Sequence, residues 1–320
     1  MNYVRNKYSN FFKRSSRIGL IEVNNIFDKN TLRGDLRKNE PLASHTTWRV
    51  GGPAKYFYRP IDIKDLIKFL RQLSKDEPLL WLGLGSNLLV RDGGFEGIVI
   101  SLTKCTSSLS INEEVLKVGA GIACAKVARE AARAGLKGVT FLAGIPGTIG
   151  GALAMNAGAY GGEIWEFVSD VEVINRQGEL YVRKPDDFLI SYRDVERQKE
   201  EWFLNCNLRL KRGNSEKEQI AIRNLLEKRG KEQPTGKPSG GSTFRNPKGD
   251  YAARLLEDCG LKGHQIGGAE VSTKHANFVL NKGNASAADI ENLIEYMRTE
   301  VKRKHGISLE TEVHIVGVSK

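Results

Sequence analysis

Apolar residues recur along this chain at two spacings, and the alternation between them predicts a mixed α+β protein. Ile63, Leu66, Ile67 and Leu70 stand at helical spacing just after a short apolar run, Tyr56-Phe57-Tyr58, that reads as a strand. Residues 79–82 read as a buried strand, with further strands over 97–102 and 115–119. Residues 124–134 are Ala-rich and amphipathic, a helix stopped by Gly135. Residues 171–182 alternate around Asn175-Arg176-Gln177-Gly178, which predicts a hairpin, and 202–210 form another strand. Ile222, Leu225 and Leu226 share one face of a helix over 215–229, closed by Gly230; residues 250–259 carry a second helical pattern and 275–281 a strand. Ser286 begins a long helix with Asp289 as its capping-box partner and Ile290, Leu293, Ile294, Met297 and Val301 as its buried stripe. Over 309–316, Leu309, Thr311, Val313 and Ile315 share one face, while Glu310, Glu312 and His314 share the other.

Two glycine-rich stretches break this rhythm. The first, Gly83-Leu84-Gly85-Ser86-Asn87, follows a strand as a dinucleotide fingerprint does, but Leu88 stands where the third glycine belongs. Residues 90–94 read as a turn and 97–102 as a strand, so no helix N-terminus backs the loop and the fingerprint loses half its physics. No GxxxxGK[ST] is present, which excludes a P-loop nucleotidase. Free backbone N–H groups in such a loop still suit an anion-binding nest. The second stretch, 143–162, holds seven glycines in twenty residues. A structural loop is the plain reading; close backbone approach to a large planar or phosphorylated cofactor explains more of the glycines.

A third segment reads as a site loop: Pro238-Ser239-Gly240-Gly241-Ser242-Thr243-Phe244-Arg245-Asn246-Pro247. Two glycines precede a hydroxyl, and a fixed cation and an amide follow it. The surroundings of Ser242 are not GxSxG, so it suits hydrogen bonding or proton donation better than acyl transfer. Taken one at a time, Ser242 is a loop hydroxyl, Glu312 a solvated strand residue and Arg193 a surface cation.

Composition narrows the partners. The net charge of +11 is spread along the chain without a recognisable nucleic-acid module, which favours a phosphate-bearing ligand. The four cysteines are far apart, read as reduced thiols of a cytoplasmic protein, and, like the scattered histidines, give no metal-site spacing. No apolar run is long enough to span a membrane, and residues 1–20 are basic without a secretory h-region. The residues alone therefore imply a cofactor-binding α+β enzyme with a separate substrate domain and an anionic ligand. A domain boundary is expected near Gly213, with residues 231–238 polar and non-periodic.

Seven motifs occur in order: Thr46-Thr47-Trp48-Arg49-Val50-Gly51-Gly52-Pro53-Ala54, 83–89, 144–151, Ser191-Tyr192-Arg193, 241–247, Lys274-His275-Ala276-Asn277-Phe278 and 309–313. Together they make the chain resemble the UDP-N-acetylenolpyruvoylglucosamine reductases, over about Arg33 to Gly317. The resemblance implies a two-part FAD-binding module of the PCMH (vanillyl-alcohol-oxidase) type followed by a separate α+β substrate-binding domain. On that division residues 1–30 form a basic tail, 31–103 and 104–212 the two FAD-binding subdomains, and 213–320 the substrate domain. It implies FAD as cofactor, NADPH as reductant, a nucleotide-sugar substrate and a place in peptidoglycan precursor synthesis. A cytoplasmic monomer, with no metal, nucleic acid or membrane insertion, goes with it.

By motif position, Ser242 is implied as proton donor, with Arg193 and Glu312 flanking the substrate carboxylate. Arg49, Gly51, Gly52, Gly83, Gly85, Ser86, Asn87, Gly144, Pro146, Gly147, Gly150, Gly151, Asn156 and Gly158 are implied to hold FAD. Tyr192, Asn246, Lys274 and Asn277 are implied to hold substrate. The chain departs from the family where Val195 replaces a frequent Ser and Glu232 a frequent Lys. The short segment after Asn246 is similar to the type II subgroup. Two other readings stay open: another flavoprotein of the same FAD-domain type, such as an alcohol or lactone oxidase, and a non-catalytic basic nucleotide- or anion-binding module.

Overall fold

The structure, a computed structural model, describes residues 27–28 and 31–320. The expected basic tail over 1–30 falls, but for Phe27 and Asp28, outside them.

Near the N-terminus a four-stranded sheet runs in the order Asp35–Pro41, Pro53–Arg59, Phe95–Ser101, Leu79–Leu82; the first pair is antiparallel and the other two are parallel. Helix α1 (Ile63–Leu70) covers it, started by Asp62, whose carboxylate accepts the Asp65 N–H. Buried Asp65 stays satisfied because the Tyr58 hydroxyl (2.7 Å) and the N–H groups of Arg33 (2.9 Å) and Ile61 (3.1 Å) donate to it. Tyr58 also stacks on Phe69, with ring centres 3.9 Å apart.

A second, wholly antiparallel sheet has the order Leu180–Arg183, Val168–Asn175, Glu201–Arg209, Val115–Gly119, Leu109–Asn112. The expected hairpin is its first pair, with Gly178 at φ +76° in the turn. Helix α2 (Cys124–Arg133) ends as expected ahead of Gly135, which is at φ +67°. One continuous apolar core joins Ile98 and Ile100 of the first sheet to Val118, Val171 and Leu204 of the second.

Several expected elements change in extent. Inside the glycine-rich run, Ile149–Ala154 folds as helix α3, capped by the Thr148 hydroxyl accepting from Gly151 N–H. Its Ile149, Ala152 and Leu153 are spaced i, i+3, i+4 and all buried, and that local stripe outweighs the glycine entropy. Helix α4 (Ser215–Glu232) runs through Gly230, and the residue before Pro234 stops it instead. Its Ile222 joins the core of the second sheet. The pattern over 250–259 yields α5 (Ala252–Asp258). The strand expected over 275–281 shrinks to Val279–Asn281, since the Ser272 hydroxyl accepts from Lys274 N–H (3.2 Å) and His275 N–H (3.3 Å) and turns the chain. The alternation over 309–316 buries Leu309 and Val313, but only His314–Val316 is a strand.

Helix α6 (Ala287–His305) begins at the expected Ser286–Asp289 capping box and ends at Gly306, φ +70°. With α5 and the short strands Gln265–Ile266, Ala269–Val271 and Val279–Asn281 it builds a separate core, into which Trp48, Val50 and Leu89 reach from the N-terminal part. The Trp48 indole N–H donates to Val279 O (2.8 Å), and Asn281 Nδ2 donates to Trp48 O (2.9 Å). At the end of the chain, His314–Val316 lies parallel to Leu88–Val90. No helix among the described residues is long and apolar enough to cross a membrane.

The start of α6 is capped from the N-terminal part: Asp92 accepts the N–H groups of Ala287 and Ala288, each at 2.9 Å. Arg91 pairs with Glu291 one turn along, at 2.8 Å. A carboxylate on free helix N–H groups is favoured by both hydrogen bonding and the helix dipole. Asp92→Ala is expected to cost about 1–2 kcal/mol and to lower the thermal midpoint by about 2–8 °C, read by thermal unfolding. An unchanged midpoint would show that this cap does not couple the two parts.

Candidate active site

A cavity of about 430 Å³ opens between the two sheets. Leu82, Leu88, Ile100, Leu102 and Ala152 give it apolar walls, and Trp81, stacked on Trp202 with ring centres 4.7 Å apart, closes one side. Two turns that line it, 83–87 and 145–148, abut one another. Thr47 N–H donates to Gly85 O (3.2 Å) and fixes the first turn. Gly85 is required there, since it sits at φ +61° and a Cβ would collide with the His45 carbonyl. Gly147 approaches Ser86 so closely that a Cβ on it would lie 3.3 Å from the hydroxyl. The N–H groups of Gly85, Ser86, Asn87, Gly147 and Thr148 find no acceptor in the described chain. Apolar walls for a flat ring, with unpaired amides for an anion, fit a flavin dinucleotide.

A larger, open depression of 710 Å³, lined by 75–79, Arg176 and 194–202, lies beside it and shares Leu79, Arg197 and Trp202. It is shallow and lined by charges of both signs, and none of Ser242, Arg193 and Glu312 lines it.

None of the three lines the smaller cavity either; they gather beside it, next to its lining residues Asn87 and His314. Arg193 occupies the tip of a hairpin, Leu189–Ser191 with Asp194–Glu196, at φ +56°. Its Nε stands 3.4 Å from Glu312 Oε1, both side chains about 15% exposed (14% and 15%). Its Nη2 donates to Gly158 O (2.5 Å) and Nη1 to Asn156 O (3.3 Å), and its guanidinium lies 4.9 Å above the Tyr192 ring. The site loop is clamped on both flanks. Asn277 accepts the Phe244 N–H at Oδ1 and donates from Nδ2 to Phe244 O, both at 2.9 Å. On the other flank Glu312 N–H donates to Thr243 O (2.8 Å) and Arg245 N–H to Glu310 O (2.9 Å). Ser242 is thus delivered beside Glu312 by backbone pairing, half-buried, with no hydroxyl partner in the described chain. Asn87 Nδ2 donates to Glu312 O (3.0 Å), which ties this cluster to the cavity-lining turn.

Burial pushes the Glu312 carboxyl above the usual carboxylate range, and Arg193 and Arg245 pull it partly back. Arg245 also faces Asp194 of the hairpin, 3.8 Å away.

Among the residues expected to hold cofactor, Gly83, Gly85, Ser86, Asn87, Gly147, Gly150 and Gly151 line the cavity. Arg49, Gly51, Gly52, Gly144, Pro146, Asn156 and Gly158 do not. Gly51 and Gly52 pack on Val90 and Asp92, Arg49 and Pro146 are exposed, and Gly144 abuts Leu225. Asn156 and Gly158 cradle Arg193 instead; a Cβ on Gly158 would lie 3.0 Å from Arg193 Nη1. Among the expected substrate residues, Tyr192 is exposed beneath Arg193, and Asn277 has its amide on the Phe244 backbone. Asn246 Oδ1 accepts Ala252 N–H at the start of α5 (3.1 Å), and the Lys274 ammonium donates to Gly230 O. Val195, at the family's Ser position, is buried in the core. Cavity residues that lie outside the motifs, Arg197, Trp202 and His314, come from three separate segments.

Comparison with known proteins agrees with this geometry. Residues 54–182 match the family described as FAD binding domain, and residues 233–316 match the C-terminal domain of UDP-N-acetylenolpyruvoylglucosamine reductase. The molecule is an FAD-dependent oxidoreductase, with a flavin-binding part followed by an α+β C-terminal domain. A UDP-N-acetylenolpyruvoylglucosamine reductase of Nitrosococcus oceani is 55% identical over 288 residues, 90% of this chain and 97% of its own. One of Coxiella burnetii is 53% identical over 308 residues, 90% of this chain and 98% of its own. The crystal structure of the Thermus caldophilus UDP-N-acetylenolpyruvylglucosamine reductase, 32% identical, aligns with a TM-score of 0.75 over 89% of this chain and 99% of that one. The chain belongs to the UDP-N-acetylenolpyruvoylglucosamine reductase family.

Proposed function

We propose that the protein reduces enolpyruvyl-UDP-N-acetylglucosamine to UDP-N-acetylmuramate in the cytoplasm, in peptidoglycan precursor synthesis, with NADPH as reductant. The observation that supports this reading is the pairing of Arg193 with Glu312, whose segment is bonded to the Ser242 loop and, through Asn87, to the edge of the cavity between the sheets. FAD, when bound, would supply the hydride that reaches C3 of the enol ether, with NADPH as its reductant. The turns 83–87 and 145–148 would hold it through their unpaired amides, and the apolar walls would exclude water from it.

The chain's own residues handle the charge and the proton. Hydride arrival at C3 makes C2 strongly basic and spreads negative charge into the substrate carboxylate. Arg193, a forked and permanently charged donor, faces that carboxylate. Burial raises the Glu312 carboxyl above the usual carboxylate range, and in its protonated form it donates a hydrogen bond to the enolic oxygen instead of repelling it. Ser242 passes its hydroxyl proton to C2 and recovers one from solvent.

The test is anaerobic. Holoprotein reduced by NADPH is mixed with enolpyruvyl-UDP-N-acetylglucosamine, and the visible absorbance of the flavin is followed. Reoxidation with one product formed per flavin supports the assignment. No reoxidation, with oxygen then restoring the colour, would point to an oxidase of the same flavin-binding type.

A further inference from the structure

Arg193 has a second carboxylate partner that the reading above leaves without a role. Glu163 Oε1 stands 3.5 Å from Arg193 Nη1, while Glu312 stands 3.4 Å from Nε. Neither distance is that of a tight charged hydrogen bond, so the guanidinium is shared between the two acids and committed to neither. Glu163 is itself held in place: Asn156 Nδ2 donates to its Oε2 (2.7 Å). The same Nδ2 donates to Ser191 O (3.0 Å), two residues before Arg193, and the Asn156 carbonyl accepts from Arg193 Nη1 (3.3 Å). Asn156 is 2% exposed and at φ +43°, a backbone state that costs energy and that these contacts over-determine. Glu163, Asn156 and the hairpin tip thus form one frame around the cation.

We propose that Glu163 is a positioning residue for this site: through the Asn156 frame it holds the Arg193 guanidinium at Nη1 and offsets part of its charge, which leaves Glu312 able to keep its proton beside the substrate carboxylate. The inference rests on the function proposed above. Glu312 is faced by Arg193 from the hairpin, with Glu163 behind it, and by Arg245 from the site loop, with Asp194 near that cation. Glu310 and His314 flank it on its own segment. Burial raises Glu312, and the two arginines oppose that rise. Each arginine has an acid on its far side, Glu163 for one and Asp194 for the other. Glu163 is the acid with the built support.

The sign of the effect follows. Turnover requires neutral Glu312, so kcat falls as pH rises through its pKa. Removing the Glu163 charge leaves more of the Arg193 charge acting on Glu312, which lowers that pKa and moves the falling limb to lower pH. For Glu163→Gln the limb is expected to move down by about 0.5–1 pH unit. The variant then loses about three- to tenfold in kcat on the alkaline side and little on the acidic plateau. Glu163→Asp, which keeps the charge, is expected to recover most of the shift.

The experiment is the kcat–pH profile of the FAD-loaded wild type, Glu163→Gln, Glu163→Asp and Glu312→Gln, each checked for flavin content and thermal midpoint. A displaced limb in Glu163→Gln that returns in Glu163→Asp supports the proposal. A loss equal at every pH with the limb unmoved makes Glu163 merely structural and overturns it, as does a Glu163→Asp variant that behaves like Gln or a Glu163→Gln variant that behaves like wild type. If Glu163→Gln does not fold, the proposal stands or falls on Glu163→Asp: the wild-type limb supports it, and a uniform loss overturns it. Glu312→Gln separates the two levels. If it abolishes the limb while Glu163→Gln leaves it in place, the inference alone fails; if the limb persists in Glu312→Gln, the assignment of Glu312 fails first.

Discussion

Ser242→Ala is expected to leave FAD reduction by NADPH intact while product formation slows by about 10²–10⁴-fold, the range of a lost general acid. The fold of the loop does not depend on the hydroxyl. Its clamps are backbone bonds of Thr243, Phe244 and Arg245 to Asn277, Glu310 and Glu312, together with Thr47 Oγ1 donating to Ser239 O at 2.6 Å. Alanine removes a hydroxyl that has no partner in the described chain, so the loss falls on chemistry and not on stability. A serine hydroxyl is a weak acid in water, but here the proton acceptor is a carbanion-like C2 held next to it. The driving force comes from the substrate, and the protein supplies placement. Stopped-flow absorbance separates the halves: flavin reduction is followed with NADPH alone, then product formation after substrate is added. Wild-type turnover in the alanine variant would remove Ser242 from the mechanism. Ser242→Cys, with a donor of similar placement, is expected to fall between the two.

Glu312→Ala is expected to lower kcat by about 10²–10³-fold, the magnitude of a lost donor to a developing oxyanion. Glu312→Gln keeps the shape of the neutral acid but donates more weakly, and is expected to lose about 10–10²-fold. The pH dependence is the sharper signature. Burial raises the Glu312 carboxyl, so its neutral form persists above the ordinary carboxylate range and wild-type kcat declines as pH rises through that raised value. Gln cannot titrate, so its lower rate is expected to be flat over the same interval. Steady-state kcat from acid to alkaline pH checks this. A limb that survives in Glu312→Gln assigns the titration to another group and takes the proton-bearing role away from Glu312.

Much of the secondary structure was legible because it is local. Asp62 before α1, Ser286 with Asp289 before α6, Gly135 after α2 and Gly178 in the hairpin are punctuation that acts within one turn of the chain. The errors were also local in cause. Gly230 has the signature of a stop but the helix tolerates it, the Ser272 hydroxyl shortens a strand, and three buried apolar residues make a helix from a glycine-rich run.

The site was legible in a different way. By residue pattern, Ser242, Arg193 and Glu312 each had a bland reading, and only the order of motifs joined them. The glycine turns at 83–87 and 147–151 could be read as approach points for a cofactor, because a missing side chain is a property of sequence. The glycines at 51, 52, 144 and 158 carry the same letter for another reason, close packing on protein, and sequence cannot tell the two apart.

By itself, then, the chain specified its elements, its caps, its lack of a membrane-length apolar run and the family to which its motifs point. Tertiary structure alone decided what those residues do for one another. It set Glu312 against Thr243 across 69 positions, by the arithmetic of their numbers, and made a solvated-looking strand residue a buried acid. It also set Asn156, a cofactor candidate by motif, against Arg193 and Glu163. The physical reason is that caps and turns are settled by neighbours within a few residues, whereas burial, charge balance and proton affinity depend on which distant segments are packed alongside.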